Sequence, residues 1–388
     1  MCARSRLSPQ EKTSVCELLE DSLDWEDILR LAAHHGVSSF LFNHLSAVPR
    51  ADGALSEVLN RLRAGLFGDI QFRMFLTREL LNLCQQFQTQ GIPLLAYKGP
   101  ALSFFLYQDV TFRPFSDLDI LVRKKDFQKA AGLLRQMGYH FPLDRLTPKR
   151  RRAALRCERS YTMSRLIEGK RVIAELHWDI MPACFFLPVN TEDFWKRIQP
   201  IEIHGTRIFI HGVEDLLLTL CAHGCKDGWS RLWWLTDIAE LIRAHPEIRW
   251  PQVMERAKTL GAQRILGLGL FLAHHLLRVN LLDRVLQKIA SDREIPPMTE
   301  KVKECLLECN DKIRETLRSR IFFYWKIKER WQDRIRDAFH HILILLSPTK
   351  KEWEWIPLPD AFFFLYYFLR PTRLLKRYAG KMWAGLKK

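Results

Sequence analysis

The sequence predicts an α+β protein, a small mixed sheet core held between a helical N-terminal part and a helical C-terminal part. Three observations carry that expectation. Apolar residues recur at helical spacing from about Ser8 to Phe87, short apolar runs separated by glycine and proline turns fill the middle of the chain, and helical spacing returns at Val213. The expected domains are a helical segment over 1–88, an α/β core over 89–212, and a helical segment over 213–388 that ends in a basic, aromatic tail.

In the opening segment, "WEDILRLAAHHGVSSFLFNHL" puts Ile28, Leu31, Ala32 and His35 on one helix face. The adjacent His34 and His35 cannot point the same way, which argues against a joint metal site. Gly91 suits a helix C-terminus and Pro93 resists continuation, so "GIPLLAYKG" reads as a strand that ends at a Lys98-Gly99 turn. "PALSFFLYQD" follows as a helix with Pro100 in its first turn, where a missing N–H costs nothing. "SDLDILV" is the next strand, and "KKDFQKAAGLLRQMGY" is an amphipathic helix stopped by Gly138.

"SYTMSRLIEGKRVIAELHW" reads as a hairpin turning at Glu168-Gly169-Lys170, with Ala174, Leu176 and Trp178 on one face and Glu175 and His177 on the other. "PIEIHGTRIFIHG" is a second hairpin, turning at His204-Gly205. Beyond Val213 the helices are interrupted by loops near Pro246 and at "REIPPMTE".

Asp117 and Asp119 alternate with Leu118 and Ile120, so both carboxylates project from one strand face. A buried core does not tolerate such a pair, whereas a divalent cation bridges it. Mg²⁺ takes oxygen ligands shared between carboxylates and substrate phosphates, which points to a nucleoside triphosphate such as ATP, with Mn²⁺ as the alternative ion. Glu175, on the polar face of a later strand, is the candidate third carboxylate. At the Lys98-Gly99 turn, glycine permits close backbone approach and the helix N–H groups face outward to an anion. Lys98 and Arg113 are placed to neutralise charge that develops as a phosphoryl group moves. His177 either touches the nucleotide or is a structural histidine beside Trp178.

These residues carry a resemblance. "KGPAL…Y…RPFSDLDILV" resembles the signature of the DNA polymerase β-type nucleotidyltransferase superfamily, and more narrowly the bacterial uncharacterised nucleotidyltransferase family, in which a Lys-Gly-x-Ala-Leu turn replaces Gly-Ser. "ELHWDI" (175–180) and "HGCKDGWSRLWWLTDIAEL" (223–241) are similar to that family too, and the likeness runs to about Asn280 and takes in the tail. It implies a nucleotidyltransferase-like mixed sheet and transfer of a nucleoside monophosphate with release of pyrophosphate. Asp117, Asp119 and Glu175 become the implied metal-binding and catalytic residues, and Lys98, Gly99, Arg113, Ser116 and His177 line the nucleotide. Similarity to abortive-infection toxin nucleotidyltransferases adds Lys226 and Asp237, the latter with a capping or pairing role as the alternative. Pro100 follows Gly99, so the superfamily's serine hydroxyl is missing and Lys98 takes its place. Two rivals stay open: a catalytically silent nucleotide- or RNA-binding protein of the same fold, and a glycosyltransferase that holds its metal through Asp-x-Asp.

Over 388 residues, 47% hydrophobic and 27% charged residues exclude a disordered chain. A net charge of +16 favours anionic partners: nucleic acid, nucleoside triphosphate or an anionic membrane. The basic run "TPKRRRAALRCERS" (147–160) is a solvated face or a grip on RNA or a phosphorylated acceptor, and a protein, sugar or lipid acceptor is equally open. "FFFLYYFLRPTRLLKRYAGKMWAGLKK" has the composition of a peripheral membrane contact or of a helix that packs its aromatics inward. The nine cysteines are odd in number and lack zinc spacing, so Cys221/Cys225 and Cys305/Cys309 read as free thiols on buried helix faces. With no apolar leader and no run long enough to span a bilayer, the expected location is cytoplasmic.

Overall fold

The computed structural model describes residues 3–48, 53–155, 160–180, 191–307, 317–348 and 350–374. Four helices open the chain: α1 (Pro9–Leu19), α2 (Trp25–His35), α3 (Ser38–Ser46) and the long α4 (Ala54–Thr89). Ser8 and Glu11 form a reciprocal capping box on α1, and the Asp24 carboxylate caps α2 by accepting from Asp27 N–H.

The middle of the chain runs β1 (Leu94–Ala96), α5 (Gly99–Tyr107), β2 (Leu118–Val122), α6 (Phe127–Gln136), α7 (Pro148–Leu155), β3 (Ser160–Ile167), β4 (Lys170–His177), α8 (Thr191–Trp195), β5 (Gln199–Ile203) and β6 (Thr206–Ile210). Four strands form a mixed sheet in the order β1-β2-β4-β3, with β2 and β4 parallel and the outer pairs antiparallel. β5 and β6 pair separately, β6 lying beside β1. Both hairpins turn on two residues of positive φ, Glu168-Gly169 and His204-Gly205, whose twist matches that of the strands they join. Lys170, expected in the first turn, already belongs to β4.

Helices then run to the C-terminal side: α9 (Val213–Lys226), α10 (Leu232–Ala244), α11 (Trp250–Leu260), α12 (Gln263–Leu277), α13 (Asp283–Ala290), α14 (Ile295–Leu307), α15 (Leu317–Ile327), α16 (Trp331–Leu346) and α17 (Lys350–Trp355). The loop expected at "REIPPMTE" is shorter than its prolines suggest. Pro296 and Pro297 fall in the first turn of α14, where no N–H is needed for the helix ladder. Cys221 and Cys225 are buried on α9, facing the Leu266 and Ile265 carbonyls of α12. Cys305 is likewise buried, and Cys309 lies outside the described residues.

Two cores hold these parts together. Phe40, Leu45 and Leu62 of the opening helices share one with Leu217, Leu235 and Leu266 of α9, α10 and α12. The other lies on one sheet face, where Leu118, Ile120 and Val122 of β2 meet Leu76, Leu80 and Leu83 of α4 and Ala130 and Leu134 of α6. α4 contributes to both, so it fixes the sheet relative to the helices.

In the basic run, α7 packs on the C-terminal segment. Lys149 donates to the Asp360 carbonyl, Arg150 donates to the Leu358 carbonyl, and the Arg150 guanidinium lies over Trp353. Phe363 and Tyr366 are buried with Trp353, Phe362, Phe364 and Phe368 are exposed, and Arg370 and Arg373 pair with Glu352. Lys376, Arg377 and Lys381 lie outside the described residues. Among the described residues, no helix is long and apolar enough to cross a membrane.

Candidate active site

β2 and β4 build the acidic wall. The parallel register puts Asp119 opposite Glu175 and Leu121 opposite His177. Because β4 follows the same alternation, Glu175 and His177 share the face that carries Asp119, while Ala174 and Leu176 are buried in the core on the other. His177 Nε2 lies 2.9 Å from Asp119 Oδ1 and 3.4 Å from Glu175 Oε2. One donor atom from each of Asp119, Glu175 and His177 falls within 4.8 Å of the others, close enough for a single ion.

The electrostatics of this wall are uneven. Burial and the neighbouring Asp119 and Glu175 charges push the Asp117 carboxyl up to about 6. Burial would raise Asp119 as well, but Lys98 and the hydrogen bond from His177 hold it well below the usual carboxylate range. Burial would lower the His177 imidazole, yet its bonds to Asp119 and Glu175 raise it above its ordinary value. The His177 ring therefore stands between the Asp119 and Glu175 carboxylates, both of which favour its protonated form.

A cavity of about 560 Å³ opens in front of this wall. Asp117, Asp119, Glu175, Ser116, Lys98, Gly99, Arg113 and Lys226 all line it. Lys98 precedes α5 and Gly99 opens it with φ +58°, and a Cβ on Gly99 would meet the Asp117 carbonyl at 3.3 Å. Only glycine accepts both that backbone and that approach, which lets the Lys98 turn lie against the β2 aspartates.

His177 and Asp237 stand behind the cavity wall, each bonded to a lining residue. Asp237 of α10 accepts from Arg113 Nε at 2.7 Å and from the Tyr107 hydroxyl at 2.9 Å, and is itself 1% exposed. The Arg113 guanidinium stacks 4.2 Å from the Trp233 ring centre, so its plane is fixed on both sides.

Several lining residues were not among the expected site residues, although His223, Trp233 and Trp234 fall within the quoted 223–241 stretch. α4 sends Asp69, Phe72 and Arg73 into the cavity, and α9 and α10 send His223, Trp233 and Trp234. His223 anchors a buried chain of hydrogen bonds. Burial and the adjacent Lys98 charge hold its pKa far below the ordinary value, so the ring is neutral. Lys98 Nζ donates to Nδ1 at 3.0 Å, Nε2–H donates to the Tyr97 oxygen, and the Tyr97 hydroxyl donates to the Ile180 carbonyl at 2.6 Å. Each group in that chain has the one tautomer that satisfies all of them. Burial lowers the Lys98 pKa, with Asp119 opposing. His223 was visible within "HGCKDGW" but nothing there tied it to Lys98, 125 residues earlier.

A mixed sheet with flanking helices, bearing carboxylates on two parallel strands and a Lys-Gly turn beside them, defines a nucleotidyltransferase-like class of protein. The family described as "Uncharacterised nucleotidyltransferase" matches residues 21–278, and the chain belongs to that family. A crystal structure of an antigenic nucleotidyltransferase-like protein from Paracoccidioides brasiliensis is similar at 16% identity and a TM-score of 0.33, over 48% of this chain and 85% of that one. No curated protein matches the chain.

Proposed function

We propose that the protein is a metal-dependent nucleotidyltransferase of the DNA polymerase β type, which moves a nucleoside monophosphate from a nucleoside triphosphate to an acceptor. The observation that carries this reading is one cavity with two unlike walls: Asp117, Asp119 and Glu175 on the strand side, and Lys98, Arg113 and Lys226 on the helical side. A triphosphate bound to a divalent cation has that same polarity.

The donor set fits the ion. Asp119 and Glu175 bring oxygens within reach of one ion, Asp117 lines the same cavity, and burial together with the neighbouring carboxylates makes Asp117 hard to ionise. Mg²⁺ or Mn²⁺ would be held by Asp117, Asp119 and Glu175, and would neutralise the phosphates and polarise the α-phosphorus. His177 then orients Asp119 from behind.

The chain's own part is positioning. Lys98 and Arg113 bind the β- and γ-phosphates, Asp237 and the Trp233 ring hold Arg113 in place, and the Trp234 ring offers a face to the base. The acceptor oxygen attacks the α-phosphorus, its proton passes to a carboxylate, Glu175 in our assignment, and the bond from the α-phosphorus to the bridging oxygen breaks as pyrophosphate leaves.

The test is incubation of the full chain with each of the four α-labelled triphosphates, Mg²⁺ or Mn²⁺, and a small-molecule and RNA extract. We expect label in an acceptor and an equivalent of pyrophosphate, both lost in Glu175→Gln. Nucleotide binding without pyrophosphate release under either ion would point to the silent binding protein instead.

A further inference from the structure

A second cavity, of about 360 Å³, adjoins the first and shares Asp69, Arg73 and Pro114 with it. It lies between α2, α3 and α4. Leu62 and Leu66 give it an apolar side, Ser38 and Ser39 give it hydroxyls, and Arg73 stands at the junction. The turn that brings α2 and α3 here depends on Gly36, whose φ is +67° and where a Cβ would meet Trp233 at 2.7 Å and Pro114 at 3.1 Å. The opening helices are therefore packed directly onto the wall of the candidate active site.

Arg73 is the unusual member. It is 6% exposed, yet its acidic partner is the largely exposed Asp69 at 3.4 Å, supplemented by the Thr111 carbonyl and a long contact to Ser39. Arg113, equally buried, has Asp237 at 2.7 Å. A guanidinium removed from water needs a matched anion, and Arg73 has a weak one. It faces two cavities, of which the first already has Lys98, Arg113 and Lys226 for a triphosphate.

We propose that the second cavity is the acceptor pocket, and that the acceptor is a small hydroxyl compound whose anionic group, a phosphate or a carboxylate, is held by Arg73. This rests on the nucleotidyltransferase reading for the word acceptor, though not for the binding of the anion. The volume lies near the low end of pockets for small molecules, about 300–1,000 Å³, and is too small for a stretch of polymer. A nucleic acid would need a basic track leading to the site, and Lys149 and Arg150 of the basic run are engaged with the C-terminal segment.

Gly65 allows a clean test. It lies inside α4, lines the second cavity but not the first, and has open space where a Cβ would stand. Gly65→Leu adds bulk at the pocket wall and improves helix propensity, and a urea melt of the variant checks that the fold is kept. Titrations by thermal shift use the full chain saturated with α,β-methylene ATP and Mg²⁺, with glycerol 3-phosphate, glycerate and glycerol as probes.

Glycerol 3-phosphate or glycerate should bind to the wild type and glycerol should not, the stronger of the two naming the anion. Binding should weaken about tenfold or more in Gly65→Leu and in Arg73→Gln, and persist in Lys98→Ala. The proposal falls if neither anion binds, if glycerol binds as well, or if Lys98→Ala loses the anion while Gly65→Leu keeps it. Where the ATP analogue does not bind, the α,β-methylene analogues of the other three triphosphates replace it, and failure of all four sinks the nucleotide reading and the acceptor role with it. Anion binding measured without the analogue then still reports on the pocket itself.

Discussion

Two charge clusters face each other across the first cavity, and they are balanced differently. On the helical wall Arg113 has one carboxylate, Asp237, at 2.7 Å, a tyrosine hydroxyl on that carboxylate and an indole against its plane. On the strand wall His177 bonds Asp119 and lies 3.4 Å from Glu175, while Asp117, which has no ion pair among the described residues, feels Lys98 and Arg113 only through their charge. The first cluster is complete within the protein, and the second has negative charge in excess. A balanced cluster holds geometry. An unbalanced one is a place where a cation lowers the energy of the whole.

Breaking the excess should have the largest consequence for activity. Asp119→Asn removes the carboxylate that Lys98 and His177 hold ionised, and turnover should fall by about 10³-fold or more, a loss of about 4 kcal/mol in transition-state binding. Stability should fall too, because a depressed carboxyl contributes to folding at neutral pH. Pyrophosphate release measured beside urea unfolding separates the two effects. A folded variant that turns over normally would remove Asp119 from the site.

Breaking the balanced cluster should act on folding first. Asp237→Ala leaves Arg113 buried without its counter-charge, at a cost of about 3–5 kcal/mol in urea unfolding at pH 7. The paired change Arg113→Met with Asp237→Leu should recover most of that stability, since apolar side chains of similar size replace a buried ion pair with little loss. It should still lose triphosphate affinity. Wild-type affinity in the double variant would make the pair purely structural.

How much of this contrast the sequence carried depends on the range of the interactions. Asp119, the Lys98-Gly99 turn and both hairpins rest on local alternation and on positive-φ turn residues and were legible, whereas β2 begins at Leu118, so Asp117 precedes the strand that the alternation put it on. Glu175 was found because β4 alternates as β2 does, although nothing local revealed that the two strands are parallel neighbours in register. Asp69 and Arg73 were missed because, four residues apart on a long helix, they look like an ordinary surface ion pair. The core that joins Phe40 to Leu235 and Leu266 was equally invisible, since helical spacing says which face is buried and not against what.

The excess also predicts a pH signature. The folded pKa of Asp117, about 6, is above that of an unfolded aspartate, about 3.9. Stability is then fullest below about pH 4 and declines as the carboxyl ionises up to and through pH 6. Asp117→Asn removes that decline, so at pH 7.5 in EDTA the variant should be more stable by about 3 kcal/mol, and at pH 4 it should match the wild type. Mg²⁺ should reverse the order by binding the wild type more tightly. Thermal melts at both pH values, with and without Mg²⁺, check this. A variant that is less stable at pH 7.5 in EDTA would mean the carboxylate is already compensated.

The smallest effect should come from the hydrogen-bond chain that ties the two walls together. Tyr97→Phe deletes one hydroxyl and leaves the packing of the ring among His177, His211 and His223 intact. It strands the His223 N–H and the Ile180 carbonyl, for a loss of about 1 kcal/mol or somewhat more. Freed from Tyr97, the His223 ring no longer presents Nδ1 to Lys98 in one orientation, and the lysine is less well held for phosphate. Affinity for a nucleoside triphosphate with Mg²⁺ should therefore fall about threefold to tenfold, while affinity for the bare nucleoside stays unchanged. Calorimetric titration of both ligands reads the difference. Equal losses for the two would mean that the hydroxyl supports the fold alone, and that Lys98 keeps its place without help from the histidine.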